Sequence, residues 1–212
     1  AVLFRTSSHS AALELELARR NIPFVKFGGL KFLEASHVKD LLAVLRFAQN
    51  PKGRQAGFRV VQLMAGVGPA TATRLLDAMD AASDPTATLQ SFDVPSAARE
   101  QWATFAALYA ALRTGQGAWP ADAELALSWY LPHLERLHED AAVRRADVEQ
   151  LVRLAAGYAS RESFLTELTL DPPEATSDRA GPPLLDDDYL ILSTIHSAKG
   201  QEWTSVHVLN VV

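Results

Sequence analysis

The segment S-T-I-H-S-A-K-G-Q-E-W, residues 193–203, places hydroxyl, imidazole, ammonium and carboxylate groups within one short stretch. It lies between two apolar runs, Y-L-I-L at 189–192 and V-H-V-L-N-V-V at 206–212. Burying such polar groups without partners costs on the order of a few kcal/mol each. Open α/β sheets bind their ligands beyond the carboxyl ends of their strands. The segment therefore predicts either a binding site at the end of a strand or an ordinary polar turn.

A second candidate site begins at the other end of the chain, where Phe4 and Arg5 follow a short apolar run. At the end of a strand, an arginine can stabilise charge that develops on a transferred γ-phosphate, and an aromatic ring can stack on a base. In the turn A-G-V-G-P-A, Gly66 and Gly68 would let backbone amides approach a phosphate. A plain turn between two helices explains the same glycines equally well.

Several other chemistries are excluded by the motifs that the sequence lacks. It contains no G-x-x-x-x-G-K-[ST] phosphate loop, no complete G-x-G-x-x-G, and no G-x-S-x-G around Ser197. There are no cysteines, so disulfides and thiolate metal sites are ruled out. His133 and His138 are five residues apart, which does not match H-E-x-x-H, and we predict them to be surface histidines of a helix with no metal.

The pattern of elements predicts an α/β fold with a mainly parallel sheet and an inserted all-α subdomain. Strand, helix, strand and helix follow one another from residue 1, and the stripe of Val38, Leu41, Leu42 and Leu45 marks the second helix. Residues 83–95 are expected to form a loop and a domain boundary, 96–168 to be helical, and 171–188 to form an acidic linker. The predicted domains are 1–90 with 186–212, and 91–185. Strands at 1–5, 24–27, 190–194 and 206–212 should share one sheet.

Composition and charge limit the class of protein. The 212 residues are 48% hydrophobic, and no apolar run approaches the roughly 18 residues that span a bilayer, so no membrane partner is expected. The net charge of −5 combines +7 over residues 1–75 (11 basic against 4 acidic) with −12 over the rest (9 against 21). A basic first third suits a phosphate backbone, although surface charge can also simply vary along a chain.

Three segments resemble the UvrD/Rep/PcrA-type superfamily 1 DNA helicases. T-I-H-S-A-K-G-Q-E-W at 194–203 is similar to that family's T-x-H-S/A-A-K-G-L-E-F/W motif, with Gln201 where the family usually has Leu. The segment from A-V-L-F-R through F-G-G-L-K-F-L-E to V-K-D-L-L resembles a second family segment. A-G-V-G-P-A-T resembles the family's R-G-I-G-x-x-T turn. Together the matches span nearly the whole chain in the family's order.

The resemblance implies a RecA-like second motor domain and a role for each matching residue. It places Phe4 against adenine, Arg5 on the γ-phosphate as the catalytic cation, and Gly200 and Glu202 at the nucleotide, with Glu202 on the ribose. It assigns single-strand DNA phosphates to a second set of residues: Thr194, His196, Ser197, Gly66 and Gly68. Such phosphate contacts carry no sequence information, which suits a translocating motor.

By this resemblance the chain is expected to be a fragment of an ATP-dependent helicase that unwinds DNA with 3′→5′ polarity in the cytoplasm. It starts without an initiator methionine and lacks both a phosphate loop and a D-E-x-x pair. ATP with Mg²⁺ would therefore bind only in the full-length parent, and the fragment alone would not hydrolyse ATP. Expected partners are single-stranded DNA, duplex DNA at a junction, and the first motor domain of the same parent. The alternative is a non-catalytic module that keeps this fold to bind DNA or protein.

Overall fold

The computed structural model describes residues 1–27, 32–115, 118–168 and 189–210. The chain divides into two compact units. We call residues 1–35 with 166–212 the sheet unit, and residues 36–165 the helical unit. None of the helices in the described ranges contains a stretch long and apolar enough to cross a membrane.

Among its described residues, the sheet unit has four parallel strands and one long helix. In chain order the elements are β1 (Val2–Phe4), α1 (Ser7–Arg19), β2 (Phe24–Phe27), a 3₁₀ turn (Phe32–Glu34), β3 (Leu190–Thr194) and β4 (His207–Val208). The strand order is β2-β3-β1-β4, and each neighbouring pair is parallel. The prediction that both ends of the chain contribute to one parallel sheet is confirmed.

The core of the sheet unit lies between the sheet and α1. Phe4, Leu17, Phe24 and Leu192 are buried together. In β1 and β2 alternate residues are buried, as expected for strands with one covered face. Because Leu17 belongs to α1, the helix that follows β1 covers this face of the sheet.

Strand β4 differs from the apolar strand predicted at 206–212. It spans only His207–Val208, and Val206 and Val208 are 45% and 46% exposed. β4 is the last strand in the order and pairs with β1 on one side, so its side chains have few neighbours. Residues 211 and 212 lie outside the described residues.

The helical unit contains eight of the helices that the structure describes. They are α2 (Ser36–Gln49), α3 (Arg54–Val61), α4 (Pro69–Ala81), α5 (Pro85–Ser91), α6 (Arg99–Thr114), α7 (Ala121–Leu137), α8 (Ala141–Ala155) and α9 (Arg161–Glu167), whose last two residues fall in the sheet unit. The predicted stripe on α2 is buried, but so are most of its other residues, because α3, α6, α7 and α8 pack around it.

The prediction of a loop at 83–95 is wrong over residues 85–91, which form α5. Asp84 caps α5, since its carboxylate accepts hydrogen bonds from the backbone N–H groups of Thr86 and Ala87, at 2.9 and 3.0 Å. Pro85 stands at the first helical position, where it is tolerated. The two compact units divide at 35/36 and 165/166, and the domain bounds at 90/91 and 185/186 stay a prediction. The assignment of 1–90 to a motor domain stays a prediction.

Aromatic residues form much of the core of the helical unit. Phe105 packs against Trp102, Tyr109 and Trp129, with ring centroids 5.2–6.2 Å apart. The prediction that His133 lies on the surface is wrong: it is buried, with its ring centroid 4.4 Å from that of Trp129, and burial lowers its pKa. The predicted linker, 171–188, lies outside the described residues.

Candidate functional site at the carboxyl edge of the sheet

The two motifs from opposite ends of the sequence meet where β1 and β3 end. The strands are parallel neighbours, and Phe4 is paired with Thr194. Beyond this pair, the backbone N–H of Ile195 donates to the carbonyl of Phe4 at 2.9 Å. Arg5 and the turn at 195–200 therefore leave the sheet side by side. We call Arg5 together with residues 194–200 the carboxyl edge.

The turn that follows β3 is held by hydrogen bonds to Thr194. The hydroxyl of Thr194 donates to Ser197 Oγ at 3.0 Å and accepts from the Ser197 backbone N–H at 3.3 Å. The backbone N–H of Ala198 donates to the Thr194 carbonyl at 3.0 Å. His196 and Ser197 are exposed. The turn thus presents an imidazole and a hydroxyl to solvent on a backbone that its own hydrogen bonds fix.

Arg5 and Phe4 differ sharply in exposure. Arg5 is exposed, and within the described residues its guanidinium has no hydrogen bond or ion pair. Phe4 is fully buried in the core of the sheet unit. A base could stack on Phe4 only if that core opened, because neither face of its ring reaches solvent. The adenine-stacking role of Phe4 stays a prediction that this geometry does not favour.

Gly200 and Glu202 lie on the segment that returns from the carboxyl edge to the start of β4. Gly200 has φ +83°, a left-handed conformation that glycine adopts without strain. By Ser205 the chain has reached the opposite end of the sheet, where its carbonyl accepts from the Ala1 ammonium at 2.7 Å. Glu202 is exposed. Among the described contacts, none joins Glu202 to Arg5, and their shared nucleotide role stays a prediction.

Gly66 and Gly68 lie in the helical unit, in the turn between α3 and α4. Gly66 has φ +79° and is exposed, while Gly68 is the N-cap of α4 and Pro69 is its first residue. A Cβ added at Gly68 would meet nothing within 4 Å. The turn is therefore open on its Gly68 side, as a backbone phosphate contact would require.

Most of the described Lys and Arg side chains among the first 75 residues form hydrogen bonds or ion pairs within the chain. Six of the cations described there donate to acceptors on other residues: Arg19, Arg20, Lys26, Arg54, Arg59 and Arg74. Four others in the described part have no such partner: Arg5, Lys39, Arg46 and Lys52. The sequence asymmetry of +7 therefore overstates the charge available to a ligand. Arg5 is the member of this second group that lies at the carboxyl edge.

A buried ion pair beneath the carboxyl edge was missed by the sequence analysis. Lys26 of β2 and Glu14 of α1 are joined at 2.7 Å, with side chains only 1% and 6% exposed. Lys26 occupies a buried position of the alternating strand F-V-K-F. A lysine at the inward position of a strand signals a buried partner, and an acidic residue on the covering helix is the expected one. No metal site accompanies it, since the described residues contain no group of three His, Asp or Glu placed to hold an ion.

Comparison with known proteins finds a family model that matches the first part of the chain. Residues 1–93 match the UvrD-like helicase C-terminal domain. The first 93 residues of the chain are thus similar to this helicase domain. The matched range contains Arg5, the buried ion pair and the glycine turn between α3 and α4.

Individual relatives extend the match over the whole chain. The ATP-dependent DNA helicase PcrA of Staphylococcus aureus is 25% identical over 231 residues, covering 100% of this chain and 30% of the relative. DNA helicase II of Haemophilus influenzae is 28% identical over 235 residues, covering 100% of this chain and 31% of the relative. PcrA of Staphylococcus epidermidis is 33% identical over 76 residues, covering 35% of this chain and 10% of the relative. The chain thus spans about a third of the length of the first two relatives.

Proposed function

We propose that this chain is part of an ATP-dependent DNA helicase and that its carboxyl edge binds the phosphates of single-stranded DNA. The names of its relatives, PcrA and DNA helicase II, support the activity. The observation that carries the binding site is the pairing of Phe4 with Thr194, which brings an unpaired cation beside an exposed turn. The segment with Arg5 supplies the cation and the segment at 194–200 supplies the exposed turn, so neither segment alone makes the site.

The groups at this edge suit a phosphate better than a base. Arg5 offers a permanent positive charge with up to five N–H donors. Ser197 and His196 add hydrogen-bonding groups that are exposed at the turn. Phosphate oxygens accept from all of these, and such contacts do not distinguish one base from another. A motor that moves along any sequence needs this kind of contact.

The turn between α3 and α4 is proposed as a second phosphate contact. Gly68 has no side chain to obstruct the start of α4, where backbone N–H groups and the helix dipole favour an anion. Because this turn belongs to the helical unit, its contribution can be tested separately from that of the carboxyl edge. Duplex DNA at a junction is the alternative ligand for it.

ATP with Mg²⁺ is proposed as the nucleotide of the full-length parent. The residues present fit such a ligand only in part: Arg5 and Glu202 are exposed, but Phe4 has no open ring face. Bound ATP would supply the free energy for movement along DNA, and the resemblance gives this movement 3′→5′ polarity. At the nucleotide, the chain's own contribution would be the carboxylate of Glu202, and a contact of Arg5 with the γ-phosphate is the alternative to its contact with DNA. The phosphate-binding and magnesium groups would come from a first motor domain.

Binding of a labelled single-stranded oligonucleotide, followed by fluorescence anisotropy at several salt concentrations, tests the proposal. Binding should weaken steeply with salt, because each phosphate contact releases counterions. Arg5→Ala should weaken binding several-fold and reduce the salt slope by about 0.7, the value for one phosphate of a single strand. His196→Ala should also weaken binding.

His207→Ala is the matched control for His196→Ala. His207 is an exposed histidine at the other end of the sheet, where its backbone pairs with Val2. The His207→Ala variant should therefore bind DNA as the unaltered chain does. Equal losses for the two histidine variants, or a salt slope that Arg5→Ala leaves unchanged, would contradict a DNA site at the carboxyl edge.

A further inference from the structure

A cluster of buried polar groups lies directly behind β1, on the face covered by α1. Glu14 Oε1 accepts from the Lys26 ammonium at 2.7 Å and from the Ser10 hydroxyl at 2.6 Å. Glu14 Oε2 accepts from the backbone N–H of Phe32 at 2.9 Å. One carboxylate therefore holds α1, β2 and the 3₁₀ turn together.

The same lysine also contacts the last residue of β1. Its ammonium lies 5.3 Å from the centroid of the Phe4 ring, within the range of a cation–π interaction. Both partners are shielded from solvent, since Phe4 is fully buried and the Lys26 side chain is 1% exposed. Such contacts are stronger where water is excluded. Lys26 is thus bound at once to the helix after β1 and to the final residue of β1.

We propose that Lys26 is a positioning residue that fixes the direction in which Arg5 leaves the sheet, an inference that rests on the proposed DNA site. Arg5 directly follows Phe4, and α1 begins two residues later at Ser7. The ammonium of Lys26 holds Phe4 on one side of Arg5, and through Glu14 it holds α1 on the other. Only a short exposed link remains between two anchored points.

Removing one member of the pair should release this link. Lys26→Met leaves the Glu14 carboxylate buried without its cation and removes the ammonium from the ring of Phe4. A buried charge that has lost its partner is strongly unfavourable, so the surrounding groups move or admit water. Phe4, which loses the cation over its ring, and α1, which carries Glu14, each lose a contact in this variant. Arg5 would then sample several directions instead of one.

Hydrogen exchange at Ile195 measures this displacement without reference to DNA. Its N–H donates to the carbonyl of Phe4, so its protection reports whether the end of β1 stays in place. In Lys26→Met the Ile195 amide should exchange faster, whereas the Leu209 amide, which donates to Leu3 earlier in β1, should change less. Lys52→Met is the control, because it removes the charge of an exposed lysine in the helical unit. Equal acceleration at Ile195 and Leu209 would overturn the proposal.

A double-mutant cycle with Arg5 measures the coupling itself. Lys26→Met should weaken single-stranded DNA binding several-fold and reduce the salt slope as Arg5→Ala does, although Lys26 cannot touch DNA. The double variant Arg5→Ala/Lys26→Met should bind no more weakly than Arg5→Ala alone, since the second change acts through a side chain already removed. Additive losses would overturn the positioning role.

Two further outcomes keep the proposal separate from the proposed function and from folding. If Arg5→Ala does not weaken DNA binding, the DNA site is wrong, and the exchange rate at Ile195 alone decides the role of Lys26. If Lys26→Met does not fold, the cycle uses Lys26→Met/Glu14→Gln. In that variant the carboxamide oxygen at position 14 can still accept from the Ser10 hydroxyl or the Phe32 backbone N–H. The carboxamide is uncharged, so no charge remains buried. Non-additivity with Arg5→Ala is again expected, and additivity is again the contrary result.

Discussion

At the scale of single residues, two buried tyrosines in the helical unit differ in whether their hydroxyls have a partner. Tyr130 donates to Asp40 Oδ2 at 2.9 Å, and Asp40 Oδ1 accepts from the Arg59 Nε–H at 2.6 Å. The hydroxyl of Tyr109 is buried with no hydrogen-bond partner in the described part of the chain. Burial raises the pKa of Tyr109 to about 12, and burial together with Asp40 raises that of Tyr130. Both hydroxyls therefore remain protonated near neutral pH.

Replacing each tyrosine with phenylalanine should change the free energy of unfolding differently at the two positions. Tyr130→Phe should lower the free energy of unfolding by about 2 kcal/mol, because Asp40 loses a donor in a buried site. Tyr109→Phe should leave stability unchanged or raise it, since it removes a hydroxyl that is desolvated without compensation. Urea denaturation followed by circular dichroism compares the two. Equal losses would mean that packing, not hydrogen bonding, sets the stability at both positions.

At the scale of elements, the contact between α2, α3 and α4 depends on a glycine inside a helix. Gly57 of α3 is buried, and a Cβ added there would lie 2.6 Å from Phe47 Cε2 of α2 and 2.7 Å from Leu76 Cδ2 of α4. Both distances are far shorter than an ordinary contact. The glycine therefore lets three helices approach closely, at the expense of helix propensity in α3.

Gly57→Ala should destabilise the protein even though alanine favours helices more than glycine does. Overpacking costs about 1–3 kcal/mol, and the gain in propensity is about 1 kcal/mol, so a net loss of about 1 kcal/mol is expected. Gln55→Ala, at an exposed position of the same helix, should change stability by less than about 0.5 kcal/mol. Chemical denaturation of both variants tests this, and a stabilised Gly57→Ala protein would show that the helices can separate freely.

At the scale of the whole molecule, the candidate phosphate contacts are divided between two units. Arg5 and the 194–200 turn belong to the sheet unit, and Gly66 and Gly68 belong to the helical unit. Neither unit contains a G-x-x-x-x-G-K-[ST] sequence. The chain can therefore offer phosphate contacts in two places but has no loop of its own to hold the phosphates of a nucleotide.

The 212-residue chain is accordingly expected to show no ATP hydrolysis, with or without DNA. In a longer protein that includes a first motor domain, Arg5→Ala should lower kcat by roughly a thousandfold if its cation acts on the transferred phosphate. Glu202→Gln should act mainly on KM, because a ribose contact is equal in the ground and transition states. Steady-state kinetics separates the two.

Other kinetic outcomes would give Arg5 a different role. A kcat unchanged by Arg5→Ala, together with weakened DNA binding, would place Arg5 on DNA alone. ATP hydrolysis by the isolated chain would contradict the half-site interpretation. A longer protein without ATPase activity would favour the non-catalytic binding module.

Local patterns in the sequence were sufficient to predict most of the elements and the site motifs. Patterns of apolar residues act over a few residues, so the second helix and the parallel strands could be recognised without coordinates. The family motifs likewise depend on adjacent residues. The helix at 85–91 was missed because S-D-P-T is rich in turn-forming residues, although Asp84 and Pro85 also form a good helix start.

What only the tertiary structure decided concerns groups far apart in the sequence. Glu14 and Lys26 are 12 residues apart, His37 and Asp147 are 110 apart, and each pair is joined by a buried hydrogen bond. No periodicity predicts such partners, because they depend on which helix covers which strand. The same holds for Phe4 and Arg5, which are adjacent in sequence and opposite in exposure. The sequence determined which residues could contact a ligand, and the packing of α1 on the sheet decided that Arg5, and not Phe4, is open to one.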